Sequence, residues 1–241
     1  MKIYKYASPT AFYPLAGKMI PWFAIPAALL FVAGLYVGFF IAPTDFQQGD
    51  AYRIMFIHVP AAWIGMMLYV LMAFYAAIGW AFNARLASMM ASSISITGAL
   101  FTLISLVTGS LWGKPTWGTW WVWDARMTST LILLFLYIGF ISLQSAIDDP
   151  RRADRAGAVL AIVGVINVPI IYFSVQWWNT LHQGATIRIL NKPTIAPPML
   201  AAMLIMLAAC WLYSIAVVLV RLRQIILERE QNVARVAAIA V

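Results

Sequence analysis

The sequence contains few charges, one cysteine and two histidines. Only 10% of its 241 residues are charged, whereas about a quarter are charged in an average soluble domain. Hydrophobic residues make up 63% of the chain and the mean hydropathy is +0.86. Because Cys210 is the only cysteine, a disulfide within the chain is excluded, and no CxxC motif is present for zinc or thiol exchange. The composition predicts an integral membrane protein, and the length fits a single membrane domain over residues 1–241.

Two other function classes lack their signals. No phosphate-binding loop is present, so the chain is not predicted to hydrolyse ATP by itself. The net charge of +8 is distributed over short loops and a tail. Such a distribution is typical of segments that face an anionic membrane surface, and we predict no nucleic-acid binding.

Six apolar runs are long enough to cross a bilayer, which takes about 20 residues. They lie at about 20–42, 60–82, 87–111, 127–146, 157–175 and 198–220. We therefore predict an all-α integral membrane protein, a six-transmembrane-helix bundle with both termini on one side. Prolines within these runs are tolerated where neighbouring groups satisfy the freed carbonyls.

The distribution of basic residues predicts the orientation of this bundle. Eleven lie in the tails and alternate loops on one side: Lys2, Lys5, Lys18, Arg85, Arg151, Arg152, Arg155, Arg221, Arg223, Arg229 and Arg235. Five lie on the other side: Arg53, Lys114, Arg126, Arg188 and Lys192. The positive-inside rule places the first set, and with it both termini, in the cytoplasm. The segments 43–59, 112–126 and 176–197 are then predicted to face outward.

Tryptophan is concentrated on the predicted outer side, above all in the stretch WGKPTWGTWWVWDARMTS at 112–129. The outer tryptophans are Trp112, Trp117, Trp120, Trp121, Trp123, Trp177 and Trp178, with Trp63 near the outer end of the second span. An interfacial aromatic belt is one interpretation. A belt, however, predicts similar numbers on both sides and rings at helix ends rather than in a row. We favour a platform for a large, flat and partly polar ligand such as a planar macrocycle, with Gly113 and Gly118 allowing sharp turns between the rings.

Both histidines also lie on the predicted outer side. His58 precedes Val59 and Pro60 at the entry to the second span, and His182 follows Trp177 and Trp178 in the third outer segment. Two partly exposed histidines bonded to loop carbonyls are the simplest interpretation. A neutral imidazole is also a common ligand of haem iron, and two such ligands from separate loops could hold a haem over the tryptophans. Because the chain lacks a CxxCH motif, such a haem would be non-covalent.

The remaining outer polar residues fit a haem better than a bare metal ion. No carboxylate is close in sequence to either histidine, whereas Lys114, Arg126, Arg188 and Lys192 could pair with haem propionates. Asp124 precedes a run of helix-forming residues and is predicted to be the N-cap of the fourth span. Direct contact with the ligand is the alternative role for Asp124, and Arg126 is a candidate partner for it.

The segment WGTWWVWDAR, Trp117 to Arg126, closely resembles the WWD signature of bacterial haem-handling proteins in cytochrome c maturation. Six spans, a histidine before the proline of the second span and a second histidine in the third outer loop are similar to the cytochrome c maturation protein C (CcmC, haem exporter protein C) family. The resemblance covers nearly the whole chain. One conservative departure is Met127, where leucine is frequent.

The resemblance implies properties that the residues alone do not give. The family presents haem b at the periplasmic face of the bacterial inner membrane and is not an enzyme. It delivers haem to the chaperone CcmE and acts with the ATPase CcmA and the membrane subunits CcmB and CcmD. By position, His58 and His182 would be the axial ligands of the haem iron. The motif residues would be Trp117, Trp120, Trp121, Trp123 and Asp124.

The sequence leaves two alternative functions open. A haem b-binding membrane anchor of an electron-transfer complex usually carries histidine within its spans, and no predicted span core here contains one. A small-solute permease is expected to have polar or charged groups at the bilayer midplane, whereas these spans offer mainly Ser, Thr, Gly and Asn167.

Overall fold

A computed structural model describes residues 7–182 and 195–230 of the chain. Within these ranges the secondary structure is helical, with one isolated β-bridge between Asp45 and Gly49 as the only extended pairing. Six helical segments of the described residues are long and apolar enough to span a membrane. The predicted all-α, six-span architecture is therefore confirmed.

The helices extend beyond the predicted apolar runs at most of their ends. The segments are α1 (Pro9–Tyr36) with a π-helical turn at Val37–Ile41, a 3-10 helix at Asp50–Ile54, α2 (Met55–Phe82), α3 (Arg85–Trp117), α4 (Ala125–Ala146), α5 (Pro150–Gly164), α6 (Asn167–Trp177) and α7 (Pro197–Arg229). The fifth span is formed by α5 and α6 together. The two are separated at Val165 and Ile166, and the Asn167 side chain after this break donates to the Ser129 carbonyl of α4 over 2.8 Å.

Small residues bring the central helices close together. α2 and α3 form a hairpin around Asn83, which adopts the left-handed conformation at φ 50°. A Cβ on Gly65 would lie 2.7 Å from the Thr102 hydroxyl oxygen, so the two helices are in backbone contact at this level. The Tyr137 hydroxyl of α4 donates to the Gly65 carbonyl over 2.8 Å. Helices α2, α3 and α4 therefore meet at this level of the bundle.

Helices α1 and α7 pack along each other. Both reach the same end of the bundle, where Tyr13 of α1 packs with Leu222 and Ile226 of α7. The first helix thus begins where the last one ends, as an even number of spans requires. At the opposite end lie His58, Trp112 and Asp124, and we call it the histidine end.

Two predicted loops at the histidine end are largely helical. The segment expected as loop 43–59 contains a 3-10 helix and the first turn of α2, so His58 lies in a helix and not in a loop. α3 continues to Trp117, which places Trp112 and Gly113 within the helix and gives Gly113 no role in a turn. The turn falls at Gly118 alone, whose φ of 79° ends α3. A run of apolar residues therefore marks the part of a helix that meets lipid, and not the residue at which the helix ends.

Candidate functional site

A cavity of about 330 Å³ opens at the histidine end between α2, α3, α6 and α7. Its volume is at the lower limit of typical ligand pockets. The wall contains both histidines and three tryptophans, together with a few polar groups on an otherwise apolar surface. These residues include His58, Trp63, Met66, Trp112, Trp117, Arg126, Tyr172, Gln176, His182, Met203 and Leu204. A mostly apolar wall with a few convergent polar groups is typical of a small-molecule site.

The rings of the two histidines lie close together in this cavity. Their ring centres are 6.5 Å apart and the ring planes are inclined by 37°. A metal–imidazole bond is about 2 Å long, so two imidazoles that bind one metal from opposite sides have ring centres roughly 6 Å apart. The spacing therefore fits a single metal centre between the rings. Residues 58 and 182 are brought together although 124 positions separate them.

His58 is held by the neighbouring helix α3. Its Nδ1 lies 3.1 Å from the Thr108 hydroxyl oxygen, and its ring contacts Trp112 edge to face with centres 5.7 Å apart. Gly109 makes this close approach possible, because a Cβ there would lie 2.9 Å from His58 Cε1. The Trp112 indole N–H donates to Gln48 Oε1 over 2.8 Å. The His58 ring is thus fixed on two sides by residues of one helix.

His182 is held by the tryptophan-rich segment. Its ring centre lies 4.9 Å from that of Trp117, and its backbone N–H donates to the Thr180 hydroxyl over 2.9 Å. Its Nδ1 lies 3.8 Å from Asp124 Oδ2, which is longer than a hydrogen bond. Both atoms are buried, and neither has a hydrogen-bond partner among the described residues. The carboxylate and the imidazole are therefore close enough to interact electrostatically, without a hydrogen bond between them.

Asp124 also caps α4, as predicted. Its Oδ1 accepts from the Met127 N–H over 2.8 Å. Burial raises the pKa of Asp124, but His182 and the Met127 amide lower it, and the net pKa is below its ordinary value. A carboxylate held in its ionised form beside His182 is an electrostatic partner for that imidazole. The sequence distance between Asp124 and His182 concealed this pairing.

Arg126 lies on the cavity wall but does not pair with Asp124. Its Nη1 donates to the Ile171 carbonyl of α6 over 2.9 Å, and no ion pair joins it to Asp124 in the described parts of the chain. Arg188 and Lys192, the other predicted cations of the third outer segment, lie outside the described residues. Lys114 is exposed at the end of α3, where its Nζ donates to the Gly118 carbonyl over 3.1 Å. Arg126 is therefore the cation that the described structure places in the cavity.

Two of the seven predicted tryptophans lie in the cavity wall, and the other five do not. Trp112 and Trp117 line the cavity. Trp120 and Trp123 are 53% and 75% exposed, and Trp121 packs edge to face on Trp123 with ring centres 5.4 Å apart. These three lie beside the cavity and not in its wall, and the indole N–H of Trp121 is buried without a partner among the described residues.

Trp177 and Trp178 lie where α6 ends, and neither lines the cavity. They are 57% and 50% exposed. Trp177 stacks on Phe173 of the same helix with ring centres 5.1 Å apart.

Several wall residues were not among the predicted site residues. Ala62 and Met66 follow His58 at helical spacing on α2, with Trp63 next to Ala62, and Tyr172 and Gln176 are one helical turn apart on α6. The three-to-four-residue period identifies the α2 group if the helix is taken to begin before His58, as α2 does. Met203 and Leu204 of α7 carry no signal, because their sequence is that of any lipid-facing helix.

Comparison with known proteins identifies the family of the chain. Residues 2–237 match the family described as CcmC, heme exporter protein C. The chain belongs to this family. Heme exporter protein C of Escherichia coli (strain K12) is 46% identical over 230 residues, which cover 95% of this chain and 93% of that protein. The protein of the same name from Haemophilus influenzae is 43% identical over 238 residues, 99% of this chain and 97% of its own. The one from Paracoccus denitrificans is 35% identical over 224 residues, or 92% of each chain.

Membership in the CcmC family confirms the resemblance seen in the WGTWWVWDAR segment. The family consists of haem-handling components of a membrane transport system for cytochrome c biogenesis, so the chain is not an enzyme. The described residues contain no cluster of three or more His, Cys, Asp or Glu side chains that could hold a bare metal ion. The paired imidazoles and the ring-lined cavity remain as the candidate site.

Proposed function

We propose that the protein binds haem b non-covalently between His58 and His182 and presents it at the periplasmic face of the inner membrane. The paired imidazoles carry this proposal, because their 6.5 Å separation suits axial ligation of one iron. No other pair of histidines exists in the chain. A haem is the cargo here and leaves with its acceptor.

The cavity wall fits the two chemical parts of a haem. Trp112, Trp117 and Trp63 offer large apolar faces to the macrocycle. Arg126 uses one nitrogen for the Ile171 carbonyl, and a guanidinium has five N–H donors in all, so others are available to a propionate. Trp120, Trp121 and Trp123 extend the aromatic surface beside the cavity, where part of a bound haem or its acceptor would contact them.

Haem titration of the purified protein tests the ligand pair. We expect a six-coordinate, low-spin spectrum, and His58→Ala or His182→Ala should each shift it toward a five-coordinate form or lower the haem content. Trp22→Ala is a suitable control because this exposed ring is on α1 and is not part of the cavity wall. Unchanged spectra in both histidine variants would remove these residues as ligands.

We further propose that the haem is delivered to CcmE, with CcmA, CcmB and CcmD as the other components of the system. The position of the cavity at one end of the bundle supports transfer, because a ligand there can be reached from outside the membrane. The test is the amount of haem-loaded CcmE in cells that lack this protein. Normal loading in such cells would contradict delivery, whatever the result of haem titration.

The predicted orientation places the histidine end in the periplasm and both termini in the cytoplasm. The basic residues support it, since Arg85, Arg151 and Arg229 all lie at the opposite end of the bundle. Single-cysteine variants in a Cys210→Ala background test this orientation. Phe46 lies at the histidine end and is 91% exposed. We expect an impermeant maleimide to label Phe46→Cys in intact spheroplasts. Exclusive labelling of a cysteine placed at Arg151 instead would reverse the orientation.

A further inference from the structure

The hydroxyl group of Thr108 lies between the His58 ring and a backbone carbonyl of its own helix. Its Oγ1 is 2.6 Å from the Ile104 carbonyl oxygen and 3.1 Å from His58 Nδ1. A second carbonyl, that of Ser105, is 3.3 Å away. The hydroxyl has one proton and two acceptor lone pairs, so these contacts cannot all be donated by Thr108.

The shortest contact decides where the proton goes. A carbonyl oxygen can only accept, and two oxygens 2.6 Å apart repel each other unless a proton lies between them. The Thr108 hydroxyl must therefore donate to Ile104, four residues earlier, as threonine commonly does within a helix. Thr108 then presents only a lone pair to His58.

This direction fixes the state of the His58 ring. A lone pair on Oγ1 cannot face a lone pair on Nδ1 at 3.1 Å, so Nδ1 carries the proton and donates to Thr108. In a neutral imidazole only one nitrogen is protonated. Nε2 is then left as the one nitrogen of His58 with a lone pair for a ligand.

We infer that Thr108 is a positioning residue that holds His58 as its Nδ1–H tautomer and so keeps Nε2 available to the iron. The inference rests on the proposed function only in naming iron as the ligand. In water a histidine side chain favours the opposite, Nε2–H, tautomer, which has no lone pair on Nε2. Without Thr108, therefore, part of the population would have to change tautomer before ligation. Partners of this kind are typical of metal-binding histidines.

The two histidines are supported differently. His58 donates to a neutral hydroxyl, whereas His182 faces the ionised carboxylate of Asp124 at 3.8 Å. A carboxylate partner raises the basicity of an imidazole ligand more than a hydroxyl does. The contribution of Thr108 is therefore one of tautomer and orientation, with Gly109 leaving room for the ring beside it.

The test measures the tautomer directly and without haem. The chain has two histidines, so a His182→Ala background contains the His58 ring alone. Its ¹⁵N shifts, recorded on ¹⁵N-histidine-labelled apo protein in detergent at about pH 8, where an ordinary histidine is neutral, report which nitrogen is protonated. We expect Nδ1–H in this background, a shift toward Nε2–H in Thr108→Val, and retention of Nδ1–H in Thr108→Ser.

Thr97→Val is the matched control. Thr97 is buried on the same helix, and its hydroxyl has no hydrogen-bond partner among the described residues. This variant should leave the His58 tautomer unchanged. With His182 restored, Thr108→Val should lower haem affinity by about tenfold or more, as loss of a ligand's hydrogen-bond partner does, while Thr108→Ser and Thr97→Val should not.

Each outcome has a distinct meaning. An Nε2–H tautomer in the background protein, or an unchanged tautomer in Thr108→Val, overturns the inference. If Thr108→Val does not fold, the background and Thr108→Ser spectra still decide it. If the tautomers are as expected but no variant takes up haem, the proposed function fails and the role of Thr108 in setting the tautomer stands.

Discussion

The two carboxylate oxygens of Asp124 have separate tasks that mutation can separate. Oδ1 caps α4 through the Met127 N–H at 2.8 Å, and Oδ2 faces His182 Nδ1 at 3.8 Å. Asn retains a side-chain oxygen and is as good an N-cap as Asp, but it carries no charge. Asp124→Asn should therefore remove the electrostatic support of His182 alone, whereas Asp124→Ala removes the cap as well.

The expected magnitudes differ for stability and haem affinity. Loss of an N-cap costs about 1 kcal/mol of protein stability, and we expect this cost for Asp124→Ala but at most a few tenths for Asp124→Asn. Loss of a ligand's carboxylate partner lowers metal affinity about 10- to 100-fold. The 3.8 Å distance favours the lower limit, about tenfold or 1.4 kcal/mol, in both variants. The Asp124 side chain is only 6% exposed, so screening by salt should be weak.

Haem titration, thermal unfolding and spectroelectrochemistry together provide the assay. A negative carboxylate stabilises ferric over ferrous iron through His182, so both variants should also have a higher reduction potential. Asp149 is the matched control, because it caps α5 by accepting from the Arg152 N–H over 2.7 Å. Asp149→Ala should lose similar stability with unchanged haem affinity. If Asp124→Asn has the haem affinity and reduction potential of the original protein while both change in Asp124→Ala, the carboxylate charge does not support His182.

Two further substitutions test the cavity wall. Gly109→Ala should lower haem affinity and alter the low-spin spectrum, because the new methyl group would lie 2.9 Å from His58 Cε1 and must displace the ring; unchanged spectra would contradict the observed packing. Trp117→Ala should weaken haem retention more than Trp123→Ala, since Trp117 contacts His182 in the cavity whereas Trp123 is 75% exposed. If both variants increase the haem off-rate equally, Trp123 contacts the haem as well.

The six spans were predictable because long apolar runs alone indicate their number and approximate positions. Six apolar runs gave six spans, and the Asp124 cap marked the start of α4 within one residue. Helix ends were less predictable. Polar and aromatic residues flank the apolar runs at Trp112 and His58, so the sequence predicts loops there. Helices nevertheless extend past the lipid boundary when neighbouring helices and caps satisfy their last backbone groups. The break at Val165 does have a signal, because Gly164 ends α5 and Pro169 lacks the N–H that would bond to the Val165 carbonyl four residues earlier.

The candidate site was predictable in its residues and not in its partners. Rare residue types identified it, since two histidines and a row of tryptophans stand out in a chain of aliphatic side chains. The supporting contacts involve Thr108, Gly109 and Trp63, which are ordinary residues for a membrane helix. Their roles depend on which helices are neighbours and on the rotation of each helix about its axis. Neither of these can be predicted from the hydrophobic pattern of one sequence.

The negative charge of the haem propionates makes the role of Arg126 testable. If its free N–H groups pair with a propionate, Arg126→Gln should lower haem affinity about tenfold, which corresponds to the lower limit of the roughly 1.5–3 kcal/mol of a hydrogen bond to a charged group. The variant also loses the bond to the Ile171 carbonyl, and this structural effect would lower affinity for any porphyrin. Haem dimethyl ester separates the two, because it has the same ring and no carboxylates. The ratio of the affinities for haem and its ester should fall about tenfold in Arg126→Gln. It should be unchanged in Lys114→Gln, whose side chain is exposed and bonded to Gly118. A ratio that is equal in the original protein and in Arg126→Gln would show that Arg126 supports α6 and does not bind the propionate.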